Sequence, residues 1–350
     1  MNRLLQGACL LPLVIAAACE TVPPAITGSP AVSVTATAQT PPVGTAKADA
    51  ADDPAIWRNA ANPGASLVVG TDKKGGLYVY DLKGAQKSFL PAPGLNNVDL
   101  VELPDGTVLA LASDRSNLAM AQIHVSRLDT RTATLSFVTR VTVGAGEGYG
   151  ICTGEVAADG SFTVYSVPKN GVIYRTALQF LGSELADQSE PLGRVPTQPE
   201  GCVYDPRTGM LYIGEERAGI WAMFGTFEGG PENRELVAPI DNTMLVADLE
   251  GLAIAPEGED GGYLVASSQG DNAYAVFRLP DMTPVGRFRI AAGAFGSTEE
   301  TDGITLDNRD FGPDFPGGLF IAQDGANAPD AQNFKFARWD AILAALGERQ

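Results

Sequence analysis

A six-bladed, all-β propeller is the fold class this sequence predicts, and three observations predict it. A short motif, an acid followed by glycine and an apolar strand, recurs in PEGCVYD, DLEGLAI and TDGITLD. Its acids, Glu200, Glu250 and Asp302, stand 50 and 52 residues apart, a spacing that marks a repeat architecture. Around each copy the chain reads as three short apolar strands and a weaker outer one. Turns drawn from 40 glycines and 24 prolines separate them, with no sustained helical period.

The units follow one another in order. DDPAIW, SLVVGTDKKG and GLYVYDL make the first, starting near residue 53. NNVDLVEL, TVLALASDRSN and QIHVSRL make the second near 98, and GYGICTGEV, SFTVYSVPKNG and VIYRTAL the third near 149. The fourth, near 200, is PEGCVYD, GMLYIGEE and GIWAM; the fifth, near 250, is DLEGLAI, GYLVASSQG and AYAVFRL. TDGITLD, GLFIAQDG and NFKFARW close the set near 302, so the folded domain is assigned to residues 48–350. A sandwich would not repeat so evenly, and a parallel α/β fold would need a helical pattern after alternate strands.

Ahead of the domain, residues 1–19 carry Arg3, an apolar run too short for a comfortable membrane span, and small residues before Cys19, which reads as an export signal. Ala16, Ala17, Ala18 and Cys19 resemble a bacterial lipoprotein box. A lipid anchor at Cys19 and a periplasmic or outer-membrane location are therefore expected, with plain secretion as the alternative. Residues 20–47, rich in Pro, Thr, Ala and Ser, read as a flexible tether. Within the domain, Cys152 and Cys202 each sit in a short apolar strand and read as two buried thiols, although export permits a disulfide.

The formal charge of −18, with a single histidine, argues against nucleic acid and anionic membranes as partners and favours cations. In a propeller the first strand of each unit lies at the axis, so equivalent positions converge at one mouth of the channel. That gathers Asp52, Asp53, Glu200, Asp248, Glu250, Glu300 and Asp302, with Asn96, Asn97 and Asp99. Second-strand ends add Asp72, Lys73 and Lys74, Asp114 and Arg115, Lys169, Glu215 and Glu216, Asp271 and Asp324. Asp248 and Glu250, two apart in a strand, would share a face roughly 7 Å apart and repel by about 2 kcal/mol at an effective dielectric of 20. Such a site calls for a hard cation. Calcium fits the carboxylates, amides and carbonyls on offer, whereas zinc or copper would want clustered His or Cys. His124 reads as an ordinary strand residue.

The basic residues Lys73, Lys74, Arg115 and Lys169 come from the first three units, and the densest acids from the last three. A cationic half beside a metal-filled half suits a polyanion, one phosphate held by side chains while metal neutralises another and activates water. Other hydrolase signatures are missing: His124 has no nucleophile elbow near it, there is no RHG motif, and only four residues separate Cys202 from Arg207 in CVYDPR, where a cysteine phosphatase has five.

The chain resembles the β-propeller phytases. The resemblance runs in order through ADDPAIW (51–57), DKKGGLYVYDL (72–82), LNNVDL (95–100), SDRSN (113–117), PEGCVYD (199–205), GEERAGIWAM (214–223), DLEGLAI (248–254), ETDGI (300–304) and QNFKFARWD (332–340). It implies hydrolysis of phytate, myo-inositol hexakisphosphate, by a metal-activated water with several calcium ions in the mouth; the chain is expected to work as a monomer. By this likeness Lys73, Arg115, Tyr149 and Lys169 contact substrate phosphate, and Asp52, Asp53, Glu200, Glu216, Asp248, Glu250 and Asp302 hold calcium. Glu200, Glu216 and Asp302 would serve catalysis directly. YSVPKNG around Lys169 departs most from the family pattern. Two rival readings remain: a calcium-dependent lactonase or esterase propeller, which would not need the basic set, and a non-catalytic propeller that binds phosphorylated ligands.

Overall fold

A computed structural model of the chain describes residues 25–46, 49–226 and 234–348. Its strands form six sheets of four strands or more. Blades 1 to 4 are each built from consecutive strands, beginning with Ala51–Trp57, Leu95–Glu102, Gly150–Val156 and Pro199–Asp205. Blades 5 and 6 begin with Leu249–Glu257 and Ile304–Asp307. Each of these first strands contacts the next around the axis, and the sixth contacts the first.

The packing explains why the second strands read as unbroken apolar runs. Leu67–Asp72, Val108–Asp114 and Leu319–Asp324 are buried along their whole length, because each faces a neighbouring blade on both sides. Apolar clusters fill the spaces between blades: Val69, Leu77, Val98 and Ala110 join blades 1 and 2, for example, and Tyr263, Phe288, Phe320 and Trp339 join blades 5 and 6. Each sheet face is covered by the neighbouring blade and only the outermost strands keep an unpaired edge, so the sheets need no further layer.

The segment expected to be a flexible tether, 20–47, is tied to the propeller at intervals from Gly28 to Thr45. Val32–Thr35 pairs in parallel with the outer strand of blade 5, Val32 opposite Phe288, and Ala38–Gln39 supplies the outer strand of blade 6 opposite Lys335 and Phe336. Ala36, Ala38 and Val43 are buried there, and Thr45 reaches Asp72 of blade 1, its hydroxyl donating to Oδ1 at 2.9 Å. Small side chains let this strap lie flat on the outer edges, so the composition that resembled a linker serves edge pairing. The export signal and Cys19 lie outside the described residues.

Cys152 and Cys202 form a disulfide between the inner strands of blades 3 and 4, which corrects the reading as free thiols. The two belong to neighbouring first strands, and the ring brings their Cα atoms to 5.7 Å across a sequence separation of 50. Closing a loop of that length stabilises by about 4 kcal/mol on chain-entropy grounds. Cys152→Ala with Cys202→Ala should therefore melt clearly lower than the oxidised protein, on the order of 5–10 °C lower. Equal melting temperatures in thermal scans would show the cross-link to be energetically idle.

At the start of the inner strands the blade's own ladder breaks. Register shifts fall between Ala51 and Pro54, Leu95 and Val98, Pro199 and Cys202, and Leu249 and Leu252. Each such bulge contains the acid or amide of the repeat and turns it out of the sheet, as bulges beside active sites do. The glycine after the acid then bonds sideways: Gly251 N–H donates to Asp302 O at 2.9 Å, and Gly303 N–H to Asp52 O at 3.0 Å. A Cβ on Gly303 would stand 2.6 Å from the Asp53 Cα, and one on Gly251 would stand 2.6 Å from the Ile304 N. Close approach of adjacent inner strands is thus the physical reason for glycine after each acid.

Candidate active site

In blades 1 to 5 a residue one or two positions past the second strand enters the mouth in a common way. Backbone N–H groups of Lys73, Arg115, Lys169, Glu216 and Gln269 donate to the carbonyls of Ala50, Gly94, Glu147, Gln198 and Asp248, each two residues before the inner-strand position of its blade. The ring of following residues is therefore cation, cation, cation, acid, amide. The acids that end the strands themselves turn away. Glu215 accepts from Thr197 N at 2.6 Å and Trp221 Nε1 at 2.7 Å, Asp324 from Lys335 Nζ at 2.8 Å, and Asp114 pairs with Arg140. Asp271 likewise pairs with the buried Arg287. These carboxylates tie strands together within their own blades and do not belong to the site, while Lys74 is exposed.

On the acidic side, single carboxylate oxygens of Glu200, Glu216 and Glu250 all lie within 4.8 Å of one another. Burial lifts the Glu250 carboxyl well above the ordinary carboxylate range, and the charge of Glu200 adds to it. Glu200 and Glu216 are raised for the same first reason, burial. Burial also raises Asp302 strongly, against the opposing pull of Lys73. Asp302 Oδ1 accepts from Gln269 Nε2 at 2.7 Å and its Oδ2 from Lys73 Nζ at 3.2 Å, while Glu200 Oε1 accepts from Asn96 Nδ2 at 3.0 Å. Two buried oxygens, Asp52 Oδ2 and Glu250 Oε2, accept no hydrogen bond.

The basic side is built around a ring and two carboxylates. Lys169 Nζ lies 4.3 Å from the Tyr149 ring centroid and the Arg115 guanidinium 5.8 Å from it. Arg115 donates to Asn96 Oδ1 at 2.8 Å and pairs with Glu147. Lys73 meets Asp49 at 2.7 Å and Asp52 at 2.9 Å, and these carboxylates with Asp302 raise its affinity for its proton although burial opposes that. Tyr149 is pushed up by burial and by Glu200, so its hydroxyl stays protonated.

Most of the expected residues therefore meet at one mouth: Asp52, Lys73, Arg115, Tyr149, Lys169, Glu200, Glu216, Glu250 and Asp302. Two stand apart. Asp53, one residue past Asp52 and so pointing the other way, takes the Val98 N–H at 3.1 Å and faces a cavity of about 320 Å³ in the channel, shared with Asn97, Asp99 and the disulfide. Asp248 precedes its strand instead of sharing a strand face with Glu250. It sits at the rim, 36% exposed, 3.7 Å from Arg217. Asp49, Glu147, Gln198 and Gln269 were not among the residues expected. Gln269 occupies the slot that Lys73 fills in blade 1, a signal the repeat alignment carries. His124 lies buried in blade 2, bonded to Ser126 Oγ at 2.9 Å, and burial with Arg140 lowers its pKa to about 4. It has no access to the mouth.

Fold and mouth together define a class of protein: a six-bladed propeller enzyme whose axis carries an oxygen-rich acidic half beside a basic half suited to phosphate. Residues 2–350 match the protein family described as Phytase. A 3-phytase of Bacillus subtilis (strain 168) is 36% identical over 343 residues, covering 90% of this chain and 86% of that protein. The chain belongs to the phytase family and is a hydrolase of that family. An α-L-arabinofuranosidase from Fusarium graminearum, solved with an iminosugar inhibitor, superposes with a TM-score of 0.59 over 89% of this chain and 99% of that one. At 12% identity this likeness concerns the fold alone.

Proposed function

We propose that the protein releases phosphate from phytate in a calcium-dependent reaction, calcium lying in the acidic half and the basic half gripping substrate phosphates. The observation that carries this reading is the set of buried carboxylates around Glu200, Glu216 and Glu250, with Glu250 Oε2 and Asp52 Oδ2 lacking any donor. A buried carboxylate oxygen without a partner costs free energy that a cation recovers. The donors are all oxygen, which fits calcium and gives a softer metal little to bind. Glu200, Glu216, Glu250, Asp52 and Asp302 would hold the ions, with Asp248 at the rim and Asp53 in the channel. Bound calcium would supply positive charge that draws phosphate oxygens in and acidifies water.

The chain's own residues account for the rest. Arg115 and Lys169, set on either side of Tyr149, present their donors to one phosphate, and Lys73 presents its ammonium to another. Glu216 would take the proton of the attacking water as the new P–O bond forms and the ester P–O bond breaks. The inositol oxygen leaves with a proton from solvent. Lipid anchoring at Cys19 and export complete the proposal, on the sequence features already given, with the chain taken to act as a monomer.

Phosphate release from phytate, with calcium and again after calcium removal, tests the reading; equal release in both would sink it. Arg115→Ala and Lys73→Ala should each raise KM at least about ten-fold, because a charged hydrogen bond to phosphate is worth roughly 1.5–3 kcal/mol. Unchanged kinetics in both variants would remove the basic half from the substrate site.

A further inference from the structure

Glu147 has no role in the reaction so far, yet it touches both cations of the Tyr149 cluster. Its carboxylate pairs with Arg115 of blade 2 and lies 3.7 Å from Lys169 Nζ of blade 3. Its backbone carbonyl also accepts the Lys169 N–H at 3.2 Å. The local sequence AGEGYG explains the placement. A Cβ on Gly148 would stand 2.6 Å from the Asp114 carbonyl oxygen, so the chain can press against blade 2 only with glycine there. That contact sets the Glu147 side chain at the seam between the two blades, 20% exposed, at the edge of the mouth.

We propose that Glu147 is an internal counter-ion that limits how tightly the basic half holds phosphate, and so sets the release of inorganic phosphate. The inference rests on the assignment of Arg115 and Lys169 to substrate phosphate. With Glu147 ionised, the group of Arg115, Lys169 and Glu147 carries one net positive charge instead of two. A carboxylate is a planar anion that occupies the same forked donors a phosphate would use. An entering phosphate dianion must share those donors with it, and a leaving one is replaced by it. Glu147 acts through Arg115 and Lys169, which makes it a positioning residue.

The test is titration calorimetry of inorganic phosphate into the calcium-loaded protein, alongside product inhibition of phytate hydrolysis. Glu147→Gln keeps the shape and removes the charge. It should bind inorganic phosphate about ten-fold more tightly, the scale of a charge–dianion repulsion near 6 Å in a solvent-like dielectric, and be inhibited at correspondingly lower phosphate. Glu147→Asp, which keeps the charge, should stay within about three-fold of the parent on the same scale. Arg115→Ala should bind phosphate more weakly. If Glu147→Gln binds phosphate equally or less tightly while Arg115→Ala weakens it, the counter-ion role is wrong and the basic half stands. If neither variant changes phosphate binding, the counter-ion role falls together with the assignment beneath it. Should Glu147→Gln fail to fold, Glu147→Ala measured in the same way decides between the same outcomes.

Discussion

Asp302→Asn and Glu216→Gln should each cut turnover by roughly two to three orders of magnitude while leaving the fold in place, the scale on which removal of a preorganised charge acts. The geometry says why a neutral isostere is not enough. Asp302 takes Gln269 on one oxygen and Lys73 on the other. An asparagine can satisfy Gln269 through its oxygen, and it then turns its own N–H groups toward the Lys73 ammonium. A donor faces a donor, and Lys73 loses one of the three carboxylates that hold it. In Glu216→Gln the contact with Gln198 survives, but the group that would accept a proton is gone. Steady-state phosphate release at saturating calcium, with thermal melts on the same preparations, separates the outcomes. Activity within about five-fold of the parent corresponds to less than 1 kcal/mol in the barrier and would show both acids to be solvated rim residues. Activity and melting temperature falling together would show them to be structural.

Removing calcium should lower the melting temperature by on the order of 10 °C at neutral pH, since each lost site withdraws about 2.7 kcal/mol at a calcium concentration a hundred-fold above its Kd. The pH dependence gives the sharper check. Glu200, Glu216, Glu250 and Asp302 all have pKa values raised in the folded protein, first by burial. A carboxyl raised in this way favours the folded state below its unfolded pKa, about 4, and loses that contribution as pH rises through the folded value. Calcium-stripped protein should thus lose stability as pH rises above about 4 and through the raised folded values, whereas calcium-loaded protein should hold its stability over the same rise. Melts of stripped protein that do not fall with pH would show that these carboxyls have other counter-charges.

How much of this is legible in the sequence follows from the symmetry of the fold. The repeat could be seen because each blade solves the same packing problem, and the acids could be seen because a ring superimposes residues like Glu200 and Asp302 that are 102 apart in sequence. What the repeat does not encode is the step from one residue to the next at a bulge. Asp52 enters the mouth and Asp53 the channel, a distinction that depends on where the ladder breaks. Glu147 and Gln198 were hidden because they precede their strands, in stretches with no period. The disulfide was hidden because Cys152 and Cys202 are one step out of register along adjacent strands, so aligning the units does not superimpose them. The strap was hidden because strands of four and two residues are too short to show alternation, and their partners lie some 250 to 300 residues away.

The strap also fixes an order of events. Residues 32–39 leave the ribosome before any blade exists, yet their partners, Phe288–Ala291 and Lys335–Phe336, are among the last to be made. The earliest part of the polypeptide must wait unpaired until nearly the whole chain is present, and the ring closes by a contact of very long sequence separation, which is slow to find. Shortening the protein from its beginning is therefore not equivalent at every point: loss of residues before 32 spares this closure, and loss through residue 40 leaves the outer edges of blades 5 and 6 without their final strands.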